Sequence, residues 1–171
     1  MNSKTILITI FRWIALLFLQ IFLLRNTSYY NLSTPFVYPL FLLVLPFGIP
    51  NILLFVFAFF TGLTVDAFYD TLGVHTSACV ALALVRVIFI SVSVNKDALD
   101  NPEPSLGNMG LKWFLLYALL CLFFHHLVVF FLEAFKFSEF GYTLTRALLS
   151  VILSLLAILL LEFTFHNKKS S

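Results

Sequence analysis

Apolar residues run with few breaks over six stretches: Thr5 to Leu24, Pro35 to Leu45, Asn51 to Phe68, Val74 to Val94, Leu111 to Glu133 and Tyr142 to Phe165. A helix that crosses the hydrocarbon core of a bilayer needs about 20 predominantly apolar residues, and five of the stretches come close to that length or exceed it. A soluble domain of this size leaves a large share of its surface in water and has nowhere to hide so many apolar side chains. Composition agrees. Only 11% of the 171 residues are charged and 61% are hydrophobic, with a mean hydropathy of +1.04, whereas soluble domains carry about a quarter charged residues. The 22 Phe residues suit helices that face acyl chains. The expected fold is an all-α membrane protein, a six-transmembrane-helix bundle forming one integral domain over residues 1–171.

The boundaries follow from the breakers. Lys4 and the apolar run after it begin like a signal peptide, but Arg12 interrupts the run and no small-residue cleavage site follows, so an uncleaved first helix is expected. The second stretch is the weak one. Thr34 offers an N-cap and Pro35 suits the first helical position, yet Pro35–Leu45 makes only about 16 Å of helix. It must borrow from Tyr29–Ser33, thin the bilayer or fail to cross. Pro46-Phe47-Gly48-Ile49-Pro50 cannot continue a helix, Tyr69–Gly73 is a tight break, and Asn95–Gly110 reads as a solvated connector. Six passes put both termini on one side. That side collects Lys4, Lys96, Lys112, Lys168 and Lys169, with Arg12 near it; the other has Arg25 and Lys136, with Arg146 one turn into the last helix. The positive-inside rule then places both termini in the cytoplasm.

Ionisable groups at membrane depth cost about 2.5–3.5 kcal/mol on insertion scales and therefore seek partners in the protein interior. Gly62, Asp66, Asp70 and Gly73, spaced by four, four and three, line one face if the helix persists. Gly62 allows close approach of another helix. Asp66 and Arg146 fall at similar depth and form a candidate buried ion pair, with Asp70 and His75 as competing partners; the alternative role for this cluster is a proton or substrate contact. Arg86 and Glu162 are secondary candidates and partners for each other. Arg12 can snorkel to the headgroups beside Trp13. His125 and His126 point about 100° apart, which disfavours a shared metal, and one of them is expected to bond a neighbouring helix. Cys79 and Cys121 sit in apolar stretches and read as small buried hydrophobes. No cofactor is implied. A net charge of +2, scattered along the chain, offers no nucleic-acid face.

Catalysis finds little support. The chain has no G-x-S-x-G, H-E-x-x-H or P-loop. An aspartyl dyad takes its two carboxylates from separate segments, whereas Asp66 and Asp70 share one. The expectation is a protein that is not an enzyme.

The run from Gly62 to Thr76, with Gly62, Leu63, Asp66, Leu72, Gly73 and His75 in register, resembles the signature of the bacterial rod shape-determining MreD family, G-L-x-x-D followed by L-G-x-[HN]. Length, Gln20, the Tyr38-Pro39 pair and the Leu45-Pro46-Phe47 turn before Pro50 resemble its Bacteroidetes versions. The second aspartate, Asp70, falls where the family varies, and no role is carried onto it. The resemblance implies an inner-membrane scaffold of the elongation (rod) complex, which controls cell shape and lateral peptidoglycan synthesis. It also implies helix contacts with an MreC-like membrane protein, indirect links to MreB, RodA and the elongation transpeptidase, and a fold similar to the substrate-binding subunits of energy-coupling-factor transporters. The competing expectation is a small-molecule-binding membrane subunit of a transporter, with Asp66, His75 and Arg146 around a pocket.

Overall fold

A computed structural model describes residues 3–27, 33–94, 103–135 and 140–167. Its helices are α1 (Ser3–Phe18), continued by a π-helical turn (Leu19–Leu24), α2 (Pro39–Leu43), α3 (Asn51–Tyr69), α4 (Val74–Ser93), α5 (Leu106–Met109), α6 (Leu111–Ala134) and α7 (Phe140–Asn167). Among the described residues, five helical spans are long and apolar enough to cross a membrane: Ile6–Leu24, Asn51–Tyr69, Val74–Ser93, Leu111–Ala134 and Phe140–Thr164. Their outward faces are apolar, with Phe11, Ile52, Val92 and Leu160 all strongly exposed, while Gln20, Thr61, Asp66, His75, Arg86, His125, His126, Ser150 and Ser154 are buried. That inversion is stable only where the surroundings are lipid, because an apolar surface of this extent in water drives association.

Side-chain bonds fix which helix ends lie together. Arg12 pairs with Glu103 at 3.2 Å and the Leu106 N–H donates to Glu162 at 3.2 Å. The first half of α1, the entry to α6 and the end of α7 therefore share one end of the bundle. At the other end, Gln20 donates to the Tyr69 hydroxyl at 2.8 Å and Arg25 pairs with Asp70 at 3.5 Å. The chain must return from Thr27 to Asn51 between these ends. It does so as a strap, residues 33–50, rather than as a second long helix.

The predicted helix over Pro35–Leu45 is thus corrected to the short α2. Residues 34–37 are non-helical, Pro39 rather than Pro35 takes the first helical position, and the helix stops at Leu43. Two prolines four residues apart explain the late start. Neither has an N–H to bond four residues back, so a helix begun at Pro35 would lose its bond at Pro39, whereas one begun at Pro39 would not. The strap is buried from Pro35 to Pro46. Irregular backbone is tolerated at membrane depth only where protein surrounds it and its polar groups are satisfied. Of the positions used to judge orientation and the solvated connector, Lys96, Lys136, Lys168, Lys169 and residues 95–102 lie outside the described residues, as does the Tyr29–Leu32 extension; the side chain of Lys4 is likewise not described.

Candidate functional site

The conspicuous sequence stripe is the lock of the α3–α4 hairpin. Helix α3 ends at Tyr69, and Asp70 turns left-handed at φ 58°. Gly73 then precedes α4 with φ 80°, a conformation that glycine adopts without strain. Glycine has no side chain with which to cap a helix, so the first N–H groups of α4 need an acceptor from elsewhere. Asp66 supplies it from the preceding helix. Its Oδ1 accepts the His75 N–H at 2.9 Å and the Thr71 hydroxyl at 2.8 Å; its Oδ2 accepts the Thr76 N–H at 2.9 Å and the Thr76 hydroxyl at 2.6 Å. A carboxylate at a helix N-terminus also meets the positive end of the helix dipole. Gly62, one turn earlier, lies against the backbone of α4, where a Cβ would stand 2.4 Å from the Thr76 Cα.

Behind the lock lies a buried aromatic network. The Tyr38 hydroxyl, on the strap, is 2.8 Å from His75 Nδ1 and 2.7 Å from His125 Nε2. One hydroxyl proton cannot be donated to both imidazoles, so at least one ring donates to the Tyr38 oxygen. His75 Nε2 and His125 Nδ1 have no hydrogen-bond partner. The rings pack with Phe36 and Tyr69. His126 has a separate task. Its Nδ1 is 2.8 Å from the Leu122 carbonyl, which can only accept, so Nδ1 carries the proton. Nε2, at 3.0 Å from Ser154 Oγ, then accepts from the serine.

Several other buried polar side chains of the helices serve the strap's backbone. Gln20 donates to the Pro35 carbonyl at 3.3 Å and accepts the Val37 N–H at 2.8 Å. Ser150 and Ser154 accept the N–H groups of Thr34 and Phe36 at 2.9 and 2.8 Å. The Tyr117 hydroxyl donates to the Leu43 carbonyl at 2.8 Å, and Arg86 donates to the carbonyls of Leu45 and Pro46.

Several expectations change accordingly. Asp66 and Arg146 do not pair: the backbone of α4 occupies the Asp66 carboxylate, and Arg146 lies 3.8 Å from Glu133 at the end of α6, over the Phe130 ring. Arg86 and Glu162 do not pair either, because Arg86 serves the strap and Glu162 accepts the Leu106 N–H. Asp70 leaves the stripe when α3 ends and joins Arg25 at the surface. Arg12 reaches Glu103, and Trp13 donates to Thr61 at 2.9 Å. Both histidines of α6 bond to other elements, where one was expected to. Gly62, Asp66, Gly73 and His75 come together in the hairpin, whereas Leu63 and Leu72 are exposed. Tyr38, Thr76, Ser150 and Ser154 went unnoticed as polar partners in the sequence. The two serines, four apart on one helix face, carry the periodic signal that locates the strap's docking line.

Fold and site together define an all-helical chain of multi-pass membrane type, polar within and apolar without. No family model, curated protein or solved structure matches it.

Proposed function

We propose that this chain is a non-enzymatic scaffold of the MreD type, acting in the bacterial inner membrane on cell shape and lateral wall synthesis through helix contacts with an MreC-like partner. One observation carries the reading. The polar members of the Gly62–His75 motif are consumed inside the fold, whereas its leucines face outward. Leu72 is fully exposed at the hairpin tip and Leu63 is 44% exposed on α3. A motif that locks a hairpin and presents apolar residues suits a contact surface. A transport subunit calls instead for a polar cluster open to a cavity; here Asp66 and His75 are buried and Arg146 belongs to another ion pair.

The same reading has six membrane passes, the strap being the second, with both termini cytoplasmic and a fold akin to the transporter subunits named above. MreB, RodA and the elongation transpeptidase are reached through the partner. Depletion in a rod-shaped host tests it, together with cysteine crosslinking from positions 63 and 72. Rounded cells and a crosslink to an MreC-like protein are expected. Unchanged rods without a crosslink contradict the proposal, and loss of small-molecule uptake favours the transport subunit.

A further inference from the structure

Arg86 differs from the other arginines of the chain. Arg12, Arg25 and Arg146 each pair with a carboxylate, Glu103, Asp70 and Glu133 respectively. Arg86 is 3% exposed on α4, and one of its terminal nitrogens donates to the backbone carbonyls of Leu45 and Pro46. Its Nε has no hydrogen-bond partner. None of the described carboxylates pairs with it: Asp66 serves the start of α4, and Glu162 is engaged by the Leu106 N–H among its contacts. Carbonyls satisfy donors but leave the charge standing. Arg86 lies seven residues before the end of α4 at Ser93, about 10 Å inside the span. A cation at that depth is costly without a counter-charge.

A second donor belongs to the same cluster. The Trp113 indole N–H is buried and also has no partner, although a buried indole usually finds one. Phe89, three residues beyond Arg86 on α4, has its ring 5.4 Å from those of both Trp113 and Tyr117, and the latter two rings are 5.0 Å apart. The strap closes the cluster. Tyr117 donates to the Leu43 carbonyl, Arg86 to those of Leu45 and Pro46, and the Phe47 ring is 6.5 Å from Trp113. These three carbonyls already have donors, so the surplus is of donors, one of them charged. Trp113 is two residues inside the Leu111–Ala134 span, where tryptophan meets the headgroups. Lys112 beside it is exposed and positive, and the Arg12–Glu103 pair at this end of the bundle is neutral. A water would satisfy the N–H groups without offsetting the charge. An oxyanion does both, and the guanidinium fork suits phosphate. We infer that Arg86 and Trp113 form a phosphate-binding site at the Leu45–Phe47 end of the strap, filled by the headgroup of a membrane lipid or by free phosphate. Phe47 is only partly buried and is the ring that turns aside to admit it.

The test reads the indole N–H signals of the full chain, carrying isotope-labelled tryptophan, by NMR in bilayer discs. Discs of digalactosyldiacylglycerol, which has no phosphate, are compared with discs containing increasing phosphatidylglycerol. Trp113→Phe assigns the Trp113 signal, and Trp13, already bonded to Thr61, is the internal reference. The Trp113 signal should move downfield while that of Trp13 stays. Inorganic phosphate added to the glycolipid discs separates the two sources: the same shift there assigns free phosphate, and a shift with phosphatidylglycerol alone assigns the lipid. Arg86→Lys keeps the charge but not the fork, and should need about fivefold more of the active phosphate for half the shift, the scale of one hydrogen bond. Arg146→Lys, at the opposite end of the bundle, should need no more than the parent. A Trp113 signal that neither phosphate moves, that moves only together with Trp13, or that responds equally in Arg86→Lys overturns the inference.

Discussion

Gly62 and Thr76 bring α3 and α4 into contact backbone to backbone: a Cβ at position 62 would meet the Thr76 Cα at 2.4 Å. This closeness makes the rest of the lock geometrically available, since a short aspartate side chain one turn on reaches the first N–H groups of the neighbouring helix only when the two backbones nearly touch.

Gly62→Ala should therefore separate the hairpin. Backbone cannot retreat as a flexible side chain can, so an overpacking cost of about 1–3 kcal/mol is expected. Gly48→Ala is the control, because a Cβ there meets nothing within 4 Å. Unfolding in mixed micelles checks both; equal stabilities would refute the close approach.

Asp66→Asn should cost about 1–3 kcal/mol. The amide keeps one acceptor oxygen but turns a donor towards groups that themselves donate. Asp66→Glu should not restore stability, since the longer side chain no longer matches the fixed helix spacing. Hydrogen exchange at the His75 and Thr76 amides should accelerate in both variants, and unchanged protection would remove the capping role.

Tyr38→Phe removes the bridging hydroxyl and leaves His75 Nδ1 and His125 Nε2 buried without it. Each buried group without a partner costs about 1–3 kcal/mol. A double-mutant cycle between Tyr38→Phe and His125→Phe should show the two changes to be strongly non-additive. Additive losses would mean that the hydroxyl and imidazole do not interact.

Arg86→Leu should loosen the turn after α2 by leaving the Leu45 carbonyl without its donor and the Pro46 carbonyl with the Ile49 N–H alone, whereas Arg86→Lys should retain part of the effect through a single ammonium. Protease or hydrogen-exchange protection across Ile49 and neighbouring residues reads the difference. If both variants protect the turn as well as the parent, Arg86 has another purpose.

The long helices were legible because hydropathy reports length directly: Asn51–Phe68 became Asn51–Tyr69, and Leu111–Glu133 became Leu111–Ala134. Spacing singled out Gly62, Asp66, Asp70 and Gly73, of which Asp70 left the stripe when α3 ended at Tyr69, and His75 entered as a competing partner and through the resemblance. The partner of Asp66 was not legible. Depth alone pointed to Arg146, but amides ten residues or fewer away are held in place by the turn itself, while Arg146 finds Glu133 closer to its own helix start. The strap was illegible for a related reason. Its irregular backbone is stabilised by Gln20, Ser150 and Ser154, which lie 15 to 118 residues away in sequence, and single polar residues in apolar runs do not announce what they bond.

The buried strap carries the whole architecture, since it alone returns the chain from the Arg25 end of the bundle to the Asn51 end. Single cysteines at Thr27 and Gly48, both exposed, can be labelled with an impermeant maleimide in sealed, oriented vesicles, the native Cys79 and Cys121 being buried. Position 27 should label from the same side as a cysteine at Leu72, and position 48 only from the opposite side. Labelling of 27 and 48 from one side would contradict the crossing.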